Sequence, residues 1–294
     1  MKKNRLAIVI STGVAMLMAP PAFAVSSASA RLGPISLTLY DLDPGDGITP
    51  WITFAYHDEY GNYAQASAND RQAGLFSDND AWAANGWDPI SASAGVPNAS
   101  AAAQLSGSGS PTGTVLLAKG SALGVNPLGT YSSYSAHVVA PYYDYSSFRL
   151  SANTLMVLSA SSALTSGVTA SFDPALTEEA EIATADASLT LYGQGPSGDG
   201  YQAASVHTSI DVESTRYEDA ACTWGYCYGP AGAADSRMLA ISFTNASTGS
   251  LGGYLYASTS VYGESYALAV PEPGSVALML AGLAAVGFVR RRRA

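Results

Sequence analysis

The sequence predicts an all-β protein, an antiparallel β-sandwich of jelly-roll-like type, framed by an N-terminal signal helix and a single C-terminal apolar helix. Three observations carry this expectation. Apolar residues between the two ends recur at every second position, the period of a strand with one face on a core. Clusters of Gly, Ser, Pro, Asn and Asp, such as LSGSGSPTG, GVNPLGT, GQGPSGDG and GPAGAADS, interrupt these runs at short intervals, as in proteins built from many short strands. Apolar stretches occur at the two ends, the C-terminal one unbroken, each beside basic residues.

The N-terminal stretch has a basic head (Lys2, Lys3, Arg5), an apolar body from Leu6 to Ala19, and Ala22-Phe23-Ala24. Small residues at Ala22 and Ala24 are what a signal peptidase reads, so residues 1–24 are expected to be a secretory signal peptide removed on export. That leaves an exported domain over 25–266 and a terminal segment over 267–294. The chain has 13 basic and 23 acidic residues, a formal net charge of -10. Between the ends the basic residues are Arg31, Arg71, Lys119, Arg149, Arg216 and Arg237, so the exported body is more acidic than the total suggests. Such a body has no clustered positive charge with which to hold nucleic acid or anionic lipid. About 240 residues suit one all-β domain with a sizeable core.

Strand patterning appears in chain order. ISLTLY sets Ile35, Leu37 and Leu39 on one side. The stretch ANGWDPISASAGVPNASAAAQLSGSGSP shows no clear period and reads as an extended loop or loosely ordered insertion. Internal helix candidates are few; DPALTEEAE is one, starting at Pro174 with Asp173 as its cap. ATADASLTL alternates Ala183, Ala185, Ala187, Leu189 and Leu191 with polar residues, and SVHTSIDVE does the same with Val206, Thr208, Ile210 and Val212. LAISF places Leu239, Ile241 and Phe243 on one face, and YLYASTSVY alternates Leu255, Ala257, Thr259 and Val261 with Tyr254, Tyr256, Ser258, Ser260 and Tyr262.

Few residues here are arranged for chemistry. Cys222 and Cys227, in CTWGYC, are expected to form a short-loop disulfide in an oxidising compartment, since neither His nor Cys stands near enough to complete a zinc site. Asp41, Asp43 and Asp46, with Gly45 and Gly47, offer carboxylates that can share a calcium ion, the one cofactor the sequence suggests. The plainer reading is an acidic turn: Asp46 falls one place late for an EF-hand, and Ile52 occupies its twelfth position. GQGPSG (Gly193, Gly195, Gly198) has dinucleotide-fingerprint spacing, but Pro196 and the strand that follows make it a hairpin loop. His57, His137 and His207 stand in no His-Glu-x-x-His or Gly-x-Ser-x-Gly pattern, and no enzyme is expected. Among the 18 tyrosines, Tyr254 and Tyr256 form a ladder able to stack on sugar rings beside carboxylates. Strand propensity alone also explains tyrosine there.

Ser275 to Val289 is an uninterrupted apolar run, shorter than the roughly twenty residues a comfortable span needs. Arg290, Arg291, Arg292 and Arg293 close it and by the positive-inside rule stay cytoplasmic. The whole of VPEPGSVALMLAGLAAVGFVRRRR resembles the PEP-CTERM sorting signal of Gram-negative bacteria, over Val270 to Ala294. The resemblance implies that an exosortase, a membrane-embedded protease or transpeptidase, recognises Val270, Pro271, Glu272 and Pro273 and cuts near them. It also implies that the inner membrane holds the precursor only transiently, before release to the cell surface or to the exopolysaccharide matrix of a biofilm. LTLYDLDPGDGITPWITF and SSFRLSANTLMVLSASSAL look like segments that recur in β-rich exoproteins of this kind, the latter on adjacent strands. The expectation is an exported structural or adhesive protein whose partners are signal peptidase, exosortase and exopolysaccharide, and not nucleic acid. A carbohydrate-binding matrix module, a secreted hydrolase and a permanently anchored protein are the rival readings.

Overall fold

The computed structural model describes residues 24–55, 61–71, 73–84, 86–124, 131–141, 147–169, 181–220, 222 and 224–266. These form antiparallel strands throughout: β1 (Ala24–Asp41), β2 (Ile52–Ala55), β3 (Asn62–Asp70), β4 (Leu75–Ala83), β5 (Ile90–Val96) and β6 (Ala99–Ser106) come first. They are followed by β7 (Val115–Gly124), β8 (Tyr131–Ala140), β9 (Ser147–Leu150), β10 (Thr154–Val168) and β11 (Ile182–Gln194). The last are β12 (Tyr201–Glu213), β13 (Thr215–Glu218), β14 (Tyr226–Gly229), β15 (Ala231–Asn245) and β16 (Leu251–Tyr266). The expected signal helix, the C-terminal apolar helix and the helix candidate at Pro174 lie outside the described residues.

One sheet of six strands runs β15-β10-β1-β7-β6-β5. A second, of eight, runs β12-β11-β16-β8-β3-β4, with β9 on β16 and β2 on β9. The two pack face to face over one core, because alternate residues of both sheets point inward. Much of that interior is alanine: Ala28, Ala30, Ala64, Ala66, Ala68, Ala118, Ala136, Ala183, Ala185 and Ala257 are all buried. Large side chains fill it locally, notably Tyr134, Trp87, and Phe148 meeting Phe243 edge-on at 5.0 Å.

Inward alternation in β1 changes phase part-way. Ala28, Ala30 and Leu32 face the core, the register shifts between Leu32 and Ile35, and Ile35 then leads the inward set. Gly33, with φ at 108°, makes the shift, since a β-carbon there would stand 2.4 Å from the Thr114 carbonyl oxygen. The expected Ile35, Leu37, Leu39 face is observed, and it begins just beyond this bulge.

Residues 84–111 correct the loop expectation. They contain the hairpin β5–β6, paired from Ile90 with Leu105 to Val96 with Ala99. The period of two was present, but its apolar members are Ala92, Ala94, Ala99, Ala101 and Ala103. Alanine opposite serine gives little hydropathy contrast, so the pattern shows only once sheet packing buries it.

Three chain crossings join the sheets at one end. β1 continues into β2, β9 into β10 and β15 into β16, so the neighbours β15-β10-β1 of one sheet lead to β16-β9-β2 of the other. Both segments singled out by the weaker resemblance are such crossings, so the strands of SSFRLSANTLMVLSASSAL, consecutive in the chain, belong to opposite sheets. Buried Asn245 ties this corner: its Nδ2 donates to the carbonyls of Leu150 (3.2 Å), Ser151 (2.7 Å) and Gly249 (2.7 Å).

Candidate functional site

The outer face of the eight-stranded sheet gathers the expected tyrosine ladder, Tyr254 and Tyr256, and two of the three histidines. Tyr192 of β11 and Tyr254 of β16 are register partners whose rings stack at 5.0 Å with an interplanar angle of 23°. Tyr201 of β12, 68 % exposed, approaches Tyr192 at 6.3 Å. Beside them is a cleft of about 460 Å³ lined by Gly193, Gln194, Gly200, Tyr201, Gly253 and Tyr254. Its floor is glycine because nothing larger fits: a β-carbon on Gly193 would meet the Gly253 Cα at 2.5 Å. Gln194 Oε1 accepts from the Gly252 amide at 3.1 Å and holds the rim. Tyr256, one outward place beyond Tyr254, is half-buried, and that burial raises its phenol pKa.

Across the same face lies a second aromatic pair that sequence reasoning missed. Tyr63 of β3 and Trp82 of β4 have centroids 4.3 Å apart, and Tyr63 Oη donates to Asp80 Oδ1 at 3.1 Å. Trp82 is 54 % exposed on an edge strand. The outward alternation Phe76, Asp78, Asp80, Trp82 was the available signal, masked because the inward partners in β3 are again alanines.

Two of the three histidines share this face without meeting. His137 is on β8 and His207 on β12, with β16 and β11 between them and a two-residue stagger along the strands, so they stand ~16 Å apart at ordinary strand spacing. Burial lowers the pKa of His137. Asp186 lies between, its carboxyl raised by burial, lowered by His207 and raised by Asp211. His57, and Tyr142, Tyr143 and Tyr145 of the stretch YYDY, lie outside the described residues.

The aspartates of the first crossing serve the loop's own backbone. Asp41 Oδ1 accepts from the Asp43 amide (3.0 Å), Asp43 Oδ1 from Gly45 (3.1 Å) and Asp46 Oδ1 from Ile48 (2.7 Å), three successive Asx turns. Asp46 Oδ2 accepts from Asn153 Nδ2 at 2.7 Å, and this bond, more than that from Ile48, lowers its pKa. Among the described residues no three His, Cys, Asp or Glu side chains converge as metal ligands.

Cys222 and Cys227 are bonded to one another at the tip of the β13–β14 hairpin, whose strands pair only with each other. Arg216 stacks over the Tyr226 ring at 3.7 Å, and Trp224 and Tyr217 are exposed beside it.

The last described residue, Tyr266, closes β16 in the middle of the sheet. Tyr262 and Tyr266 both donate to the Glu264 carboxylate and fix this end. Ala24, expected from the sequence to be the last signal-peptide residue, is the buried first residue of β1 and pairs with Gly124. A β-carbon on Gly124 would stand 2.4 Å from the Tyr266 carbonyl oxygen and 2.9 Å from Ala24 Cβ, so both ends of the domain leave from one place. Beyond Tyr266 come Ala267 to Val270 and then Pro271-Glu272-Pro273. Residues 269–293 are a PEP-CTERM protein-sorting motif. This PEP-CTERM segment is the C-terminal exosortase sorting signal, and it makes the chain an exported protein with a membrane-anchored precursor that exosortase processes. Val270, Pro271, Glu272, Pro273 and Arg290 to Arg293 belong to it and lie outside the described residues, as does Ala22. Among the described residues no helix is long and apolar enough to cross a membrane. No curated protein and no solved structure matches the chain.

Proposed function

We propose that the two-sheet body is a β-sandwich that serves, after exosortase processing, as an adhesive component of the cell surface or exopolysaccharide matrix, gripping polysaccharide through the outer face of its larger sheet. The stacked Tyr192–Tyr254 pair beside the glycine-floored cleft carries this reading. Aromatic faces suit the apolar C–H faces of sugar rings, and Gln194 at the rim, with the Thr190 and Ser205 hydroxyls one outward place along, suits hydroxyls. The reading is of a binding protein and not an enzyme, in keeping with two strands standing between His137 and His207.

The test is retention of the processed protein, purified from the producing cells, on their own immobilised exopolysaccharide. Tyr254→Ala and Tyr201→Ala each lower retention about tenfold or more, the equivalent of about 1.4 kcal/mol, with the melting temperature little changed for the exposed Tyr201. Undiminished retention in both variants, or none for the unaltered protein, refutes it.

A further inference from the structure

The place where the chain leaves the fold defines which end of the domain faces the membrane. β16 finishes at Tyr266, and Ser275, where the apolar run begins, is nine residues on, ~30 Å at full extension. The N-terminal strand starts beside the same point, at Ala24. While the precursor is anchored, this end of the two sheets is therefore confined within one short tether of the bilayer.

Two exposed apolar groups flank that exit. Glu213, the end of β12, is level with Ile182 and Glu264 across the sheet, so the β13–β14 arm, starting at Thr215, departs from this end. It returns through Ala231, which pairs with Val168 next to the start of β1. The arm presents Trp224, 55 % exposed, with Tyr217 and the Arg216–Tyr226 stack. On the opposite edge Leu75 and Phe76, the latter 66 % exposed, open β4 level with Ser132 of β8 and so with Ser265 of β16. β16, which ends at Tyr266, stands between them in the sheet.

We propose that the disulfide-stapled arm is a membrane-surface contact: in the anchored precursor Trp224 seats in the headgroup region of the bilayer, with Phe76 on the other flank. Trp and Tyr favour that region because the ring is apolar and its polar edge stays wet. The occupant is a zwitterionic phospholipid surface, since the acidic body is repelled by an anionic one. Affinity of the arm alone need only be weak, because a short tether raises its effective concentration to the millimolar range. The cleft at Tyr254 lies twelve residues up β16 from Tyr266, ~40 Å away along the strand, so the polysaccharide face and the membrane contact are at opposite ends. This inference rests on the membrane-anchored precursor and is independent of the polysaccharide reading.

The full-length precursor, reconstituted in phosphatidylcholine vesicles with brominated acyl chains, tests it through quenching of tryptophan fluorescence. Trp224→Phe is expected to remove more than half of the lipid-dependent quenching, and Trp51→Phe, in the crossing at the far end, to leave it intact. Quenching that survives Trp224→Phe, that Trp51→Phe abolishes, or that is absent throughout overturns the proposal. A Trp224 emission shift that follows protein concentration and not lipid assigns the arm to a second copy of the chain and also overturns it.

Discussion

Gly120 of β7 lies against the ring of Tyr134 of β8 across the interior, so close that a β-carbon at position 120 would stand 2.1 Å from Tyr134 Cδ2. Gly263 of β16 receives the other end of the same side chain, 2.4 Å from where its own β-carbon would be. Burial pushes the Tyr134 phenol up to about 12, opposed by the contact of its hydroxyl with Ser26 Oγ at 3.5 Å. Two glycines on facing strands thus make the slot for the bulkiest residue in this part of an alanine-rich core. Gly120→Ala is expected to cost about 2 kcal/mol through overpacking. Tyr134→Leu in the same chain should recover part of that loss, seen as coupling in a double-mutant cycle of urea unfolding. An unshifted urea midpoint for Gly120→Ala would contradict the close approach.

Asn245 should be the most sensitive polar residue of the corner. It is fully buried, and its Nδ2 serves three carbonyls while Oδ1 accepts from the amide and hydroxyl of Ser247. Asn245→Ala strands buried carbonyls without donors, a loss of about 2–4 kcal/mol. Asn245→Asp sets a carboxylate against those carbonyls and should be worse at neutral pH than in acid. Chemical denaturation at pH 7 and pH 4 separates the two variants.

His137 should make stability depend on pH. Its folded pKa lies below the ordinary 6.5 because burial disfavours the charged ring. The folded protein then binds fewer protons than the unfolded chain, so stability is greatest above 6.5 and falls as pH drops through that value towards the folded pKa. His137→Gln removes this component, and the melting curves of the two proteins should converge in their slope above pH 7 and diverge below 6.5. Parallel pH profiles would show that the ring is not desolvated.

Opening the Cys222–Cys227 bond should act locally. The arm pairs with no other strand, so a Cys222→Ser, Cys227→Ser protein should melt within a few degrees of the unaltered one yet be cut by proteases between 215 and 229. Limited proteolysis with mass mapping reads this directly. Global unfolding of the double variant would show that the arm supports the body.

How much of this was legible depended on side-chain contrast. Where large apolar residues alternate with polar ones, as in Leu189 and Leu191 of β11 or Leu239, Ile241 and Phe243 of β15, the strand and its buried face could be read directly. Where alanine stands opposite serine, as in β5–β6, or opposite Tyr63 and Gln65 in β3, the same period carried too little hydropathy contrast, and the hairpin and the Tyr63–Trp82 pair went unseen. The aspartates of the first crossing were legible as a cluster, but whether they faced an ion or their own backbone depended on Asn153, 107 residues away.

The sequence by itself determined the class of the fold, the spacing of the two cysteines, and the sorting address, because a period of two, a short cysteine loop and a Pro-Glu-Pro, apolar, arginine order are all local patterns. Tertiary structure decided what those patterns meet. It placed Tyr192 against Tyr254, Gly120 against Tyr134, and Ala24 beside Tyr266, pairs brought together only by long-range strand pairing and sheet packing. Contacts between residues on different strands, from fourteen to more than two hundred positions apart, leave no mark on a local period, so the tyrosine-lined face and the shared exit of the two ends emerge only when the two sheets close.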